Sequence, residues 1–103
     1  MSVDVGTMTD IATALPTLAE LTSFVHGELC RLDALEPDQT PLFTSKLTRG
    51  GRSAGLLFHI EGPRLLRTSA VWSADEHRIL IYDSKGTRVR TVRLSEAPEL
   101  ATA

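Results

Sequence analysis

The sequence predicts an α+β fold: one N-terminal helix packed on one face of a four- to five-stranded antiparallel β-meander. Three observations carry that expectation. Apolar residues recur at steps of three and four from Leu18 to Leu35, the helical period. After "EPDQTP" the period changes to two and stays there to Leu94. The gaps between the period-two runs are short and mostly glycine-containing, which suits consecutive antiparallel hairpins and leaves no room for a crossover helix.

The helix starts at a capping box. Thr17 and Glu20 have the spacing that lets each side chain satisfy the other's backbone N–H, and Pro16 precedes them. Leu18, Leu21, Val25, Leu29, Leu32 and Leu35, joined by Phe24, then form one apolar stripe. Pro37 disfavours helical geometry at Glu36, so the helix is expected to run to that point. Gly27 inside it costs about 1 kcal/mol relative to alanine and suggests close approach of another backbone. Residues 1–14 and 96–103 lack periodicity and read as flexible tails around a single domain of residues 15–95.

Five strands follow, over residues 42–49, 53–61, 65–73, 78–83 and 87–94, the first at the sheet edge. The last connector, Ser84-Lys85-Gly86, suits a type I turn with a glycine bulge, which sets Tyr82 opposite Arg88 and Ile81 opposite Val89. A four-residue loop over 74–77 sets Ser73 opposite Arg78, so Trp72, Ala70 and Leu66 share a face with Ile79 and Ile81. A three-residue loop over 62–64 adds Ile60, Phe58 and Leu56 to that face. This is the only apolar face available to the helix stripe.

The opposite face then carries Leu57, His59, Glu61, Arg67, Ser69, Val71, Arg78, Leu80, Tyr82, Arg88 and Arg90. A solvated face reads polar throughout, whereas Leu57, Val71, Leu80 and Tyr82 lie in the middle of this one. Arginine stems lying over Leu80 and Tyr82 are one explanation. A contact surface is the other, because tyrosine and arginine around an aliphatic centre is the mixture enriched at interface hot spots. The binding surface read from the sequence is therefore Leu57, His59, Arg67, Val71, Arg78, Leu80, Tyr82, Arg88 and Arg90, used for homodimerisation or for another protein partner. Nucleic-acid or anionic-ligand binding through the same arginines is the alternative. Tyr82 offers it a single aromatic where a nucleic-acid-binding sheet ordinarily stacks two or three bases.

Chemistry leaves little trace. There is no nucleophile elbow, phosphate-binding loop, dinucleotide-binding glycine pattern or paired-cysteine motif, and no catalytic residue, cofactor or metal site is assigned. His26 and Cys30 stand one helical turn apart, but two ligands do not make a structural zinc site; they read as a half-exposed imidazole and a packed thiol flanking the core stripe. Glu61 with His59 and Arg67 reads as a surface ion-pair cluster.

Charge divides along the chain. Residues 1–40 hold seven acids against Arg31, and residues 41–95 hold ten bases against four acids, within a net charge of −2. Such a balance gives phosphate only local attraction. No apolar run reaches the length a membrane helix needs, the first residues lack a basic signal region, and one cysteine cannot close an intramolecular disulfide. The expectation is a cytoplasmic, non-membrane chain. The element order over residues 17–94 resembles the cystatin-type arrangement of a helix lying across a curved antiparallel sheet. The first hairpin reads "TRGGRS" in place of that family's Q-x-V-x-G loop, so the resemblance implies a shape and no inhibitory function.

Overall fold

The computed structural model describes residues 12–62 and 66–99. Its elements are β1 (Thr13–Ala14), α1 (Leu18–Leu32), a 3-10 turn (Pro37–Gln39), β2 (Phe43–Arg49), β3 (Arg52–Glu61), β4 (Arg67–Ser73), β5 (Arg78–Tyr82) and β6 (Arg88–Glu96). The six strands form one open sheet in the order β1-β6-β5-β4-β3-β2. Every pairing is antiparallel except β1 with β6, which is parallel. The five strands of the meander are those read from the sequence, with β2 at the edge; β1 is additional. Thr13 and Ala14 close the sheet where the end of a tail was expected, and residues 1–11 and 100–103 lie outside the described residues.

Both halves of the capping box form. The Glu20 amide donates to Thr17 Oγ1 and the Thr17 amide to Glu20 Oε1, each at 3.2 Å. The C-terminus differs from expectation. The helix stops at Leu32, because Ala34 turns into the left-handed region at φ 55°. The Leu35 amide then reaches back to the Cys30 carbonyl at 2.8 Å and the Ala34 amide to Arg31 at 3.2 Å, the paired bonds of a Schellman cap. Proline at 37 bars helix only at its immediate predecessor, so an earlier stop was open to the chain. Asp33 takes it, accepting a hydrogen bond of 2.6 Å from the hydroxyl of buried Thr68 on β4. Glycine is the residue suited to the left-handed cap position, and we expect Ala34→Gly to raise stability by about 1 kcal/mol in urea unfolding. A loss of stability there would contradict the cap assignment.

One continuous core fills the space between α1 and the sheet. Leu21, Val25, Leu29 and Cys30 of the helix meet Phe58, Ile60, Ala70, Trp72, Ile79, Ile81, Val92 and Leu94, with Leu15 closing one end. Leu18 and Leu32 of the helical stripe stay exposed at its margins, and Leu66 falls outside β4 and is exposed. Gly27 has open space where a Cβ would stand, so close backbone approach is not its reason. Cys30 is buried, and burial, reinforced by the negative charge of Asp33, raises its thiol pKa. His26 holds the loop after the helix, its Nε2–H donating to the Thr40 carbonyl at 2.6 Å.

Two bulges decide which side chains face where. The hairpin β2–β3 turns through Gly50 and Gly51, both at positive φ, and pairs Arg49 with Arg52. One extra residue in β3, Ala54, then shifts the register, so that Leu47 pairs with Gly55 and Phe43 with His59. Gly55 has φ 151°, and a Cβ there would lie 1.8 Å from the Trp72 carbonyl oxygen. In β6 the extra residue is Val89. Tyr82 pairs with Arg88 as the turn chemistry predicts, but Ile81 pairs with Arg90 and not with Val89, and Leu80 with Thr91. A one-residue bulge moves every later side chain to the other face.

Candidate functional site

The sheet face opposite the helix is organised as rows of directly paired residues crossing the strands. A central row runs Ser45, Leu57, Val71, Leu80, Thr91 from β2 to β6. On one side of it lies the row Phe43, His59, Ser69, Tyr82, Arg88, with Glu61 and Arg67 beyond. On the other side lies Leu47, Gly55, Ser73, Arg78, Arg93. The helix packs on the reverse of the sheet, so the aliphatic segment Leu57–Val71–Leu80 has no element above it among the described residues. Leu57 is exposed, and Val71, Leu80 and Tyr82 are half-buried by their neighbours in the sheet.

Eight of the nine residues read from the sequence as a binding surface share this face: Leu57, His59, Arg67, Val71, Arg78, Leu80, Tyr82 and Arg88. Arg90 does not. The Val89 bulge turns it to the helix side, where it pairs with Glu28, a carboxylate also held by Arg31 at 2.6 Å. The consequence falls on Leu80. The expected register sets Arg90 beside it as a screening stem; the actual neighbours across the strands are Val71 and Thr91. Arg93 takes a place on the face instead, one row away.

Two of the remaining arginines are committed to carboxylates. Arg67 pairs with Glu61 at 3.2 Å and Arg78 with Glu76 at 2.8 Å. Glu61 also meets His59 Nε2 at 3.3 Å. The cluster sits on open sheet, with side-chain exposures of 31% for His59, 33% for Glu61 and 64% for Arg67. At such exposure each pair contributes about 0 to 1 kcal/mol and has the character of a surface trim. Arg88 has no ion-pair partner among the described residues.

Phe43 is the residue that sequence reading missed. It lies on this face because of the Ala54 bulge, stacks on His59 with ring centroids 4.9 Å apart and planes inclined by 15°, and is exposed. An unbulged hairpin from Arg49 and Arg52 would have set Phe43 opposite Phe58, in the core. Glycine inside a strand is a signal for a bulge, and Gly55 is that signal. Among the described residues no group of three or more histidine, cysteine or acidic side chains is arranged to hold a metal ion, and no helix is long and apolar enough to cross a membrane. Comparison with family models, curated proteins and solved structures found no match.

Proposed function

We propose that this chain is a small non-enzymatic interaction module that self-associates through its uncovered sheet face. The observation that supports this is the aliphatic row Leu57–Val71–Leu80, in register across three strands with no arginine opposite Leu80. A second copy fits it by simple geometry. Stacked sheets keep their strands within about 30° of one another, and a two-fold axis along the row lays each copy's aliphatic residues on their own equivalents. The flanking rows then exchange, setting Phe43 against Leu47 and Tyr82 against Arg78 of the second copy. Such an isologous contact is the commonest form of oligomer interface. The buried, unpaired Cys30 fits a reducing compartment, which supports a cytoplasmic setting.

The rival reading is nucleic-acid or anionic-ligand binding. Phe43 stacked on His59 gives it more aromatic surface than Tyr82 alone, but the loss of Arg90 to Glu28 and the engagement of Arg67 and Arg78 by carboxylates leave less charge for phosphate.

Sedimentation equilibrium over a concentration series tests the proposal. The wild-type chain is expected to dimerise, and Leu80→Asp to weaken the dimer at least about a hundredfold by burying an unpaired carboxylate against an aliphatic surface. Leu57→Asp, at a more exposed point of the same row, should act in the same direction with the fold intact by circular dichroism. A wild-type chain that stays monomeric at about 0.5 mM, a concentration at which even millimolar affinity leaves detectable dimer, would remove the self-association reading.

A further inference from the structure

The sheet has a second exposed feature, independent of its open face. Strand β2 spans seven residues, pairs with β3 on one side and with nothing on the other among the described residues, and all of its residues but Leu47 are exposed. An unpaired strand presents a row of N–H and C=O groups that can accept a further strand. Of the usual protections β2 carries one, the helix-side Lys46, which repels a basic strand and leaves room for an acidic one. β2 contains no proline, and the bulge of this hairpin sits in β3, leaving β2 itself regular. The opposite edge contrasts with it, since β6 is bulged at Val89 and its C-terminal end is covered by β1.

Charge says what the edge accepts. From residue 42 to residue 60 the chain has Lys46, Arg49 and Arg52 and no acidic residue. Lys46 lies on the helix side of β2, opposite Leu56, whereas Phe43, Ser45 and Leu47 lie on the open side. We propose that β2 takes up an extended segment of a protein partner as a seventh strand, its side chains alternating between apolar and acidic. The apolar ones pack beside Phe43 and Leu47, and the carboxylates stand beside Lys46. A second copy of this chain is a poorer occupant. Antiparallel pairing of two β2 strands about Ser45 makes the two Lys46 residues diagonal neighbours, roughly 7 to 8 Å apart, and joins two hairpins that are wholly basic.

The probe is a capped seven-residue peptide alternating valine and glutamate, titrated into the isotopically labelled full chain and followed by amide hydrogen exchange. Binding should saturate, slow exchange at β2 amides and leave β5 unchanged. The same peptide with lysine in place of glutamate should bind about tenfold more weakly, and the difference should shrink as salt rises to about 0.5 M. Lys46→Glu, an exposed substitution that the fold tolerates, should reverse the preference between the two peptides. Leu80→Asp should leave it unchanged, so failure of open-face self-association and failure of edge addition are read separately. Equal binding of both peptides, no slowing at β2, or peptide-free protection of β2 that grows with protein concentration would each overturn the proposal, the last because a second copy then fills the edge.

Discussion

Gly55→Ala is expected to remove about 4 kcal/mol or more of stability, a large share of the roughly 5 to 15 kcal/mol that holds a domain of this kind together. The missing Cβ would stand 1.8 Å from the Trp72 carbonyl oxygen, and that oxygen belongs to the backbone of the paired strand, so no rotamer change relieves the contact. The glycine also holds φ 151°, where an L side chain is strained whatever the space. The neighbouring bulge is tied to the end of β4, since the Ala74 amide donates to the Ala54 carbonyl at 3.0 Å. The single tryptophan of the chain is the residue struck, so its fluorescence in a urea titration reports the change directly. A cost below about 1 kcal/mol would mean that β3 and β4 do not approach as described.

Trp72→Ala is the second large effect, expected at about 3 to 5 kcal/mol because the largest fully buried side chain leaves a cavity that the sheet backbone cannot close. The informative comparison is Trp72→Phe. The indole N–H is buried with no acceptor among the described residues, so phenylalanine keeps most of the packing and removes a polar group whose desolvation none of them offsets. We expect that variant to cost about 1 kcal/mol, read from thermal unfolding by circular dichroism, which does not depend on the lost fluorophore. If phenylalanine costs as much as alanine, the N–H has a partner in solution and the local packing differs from this description.

Much of the sheet was legible in the sequence because turn chemistry is local. The four-residue loop before Arg78 dictates its register by itself. The loop after Glu61 is longer than the three residues read from the sequence, since Glu61 pairs with Arg67 and not with Leu65, but a slip of two keeps parity, so Phe58, Ile60, Ala70, Trp72, Ile79 and Ile81 still share the buried face. The Asp83 turn closes as its residues require, with the Asp83 carboxylate accepting from the Lys85 and Thr87 amides and Gly86 at φ 84°. Reading failed where an extra residue breaks the period. In β6 the apolar positions are Val89, Val92 and Leu94; the last two share a parity that the first does not, and that mismatch is the mark of the bulge. Overlooking it carried Arg90 to the wrong face. Gly55 gave the matching sign in β3, and Phe43 was lost with it. β1 had no sign at all, since two residues are too few for any period and their pairing depends on β6, far along the chain.

That short parallel strand matters beyond its length. Among the described residues it joins β6 at Leu94 and Glu96, with one further bond of 3.0 Å from the Leu15 amide to the Glu96 carbonyl. Thr13 and Ala14, with Leu15 buried in the core behind them, therefore tie the end of the last strand to the segment that leads into α1.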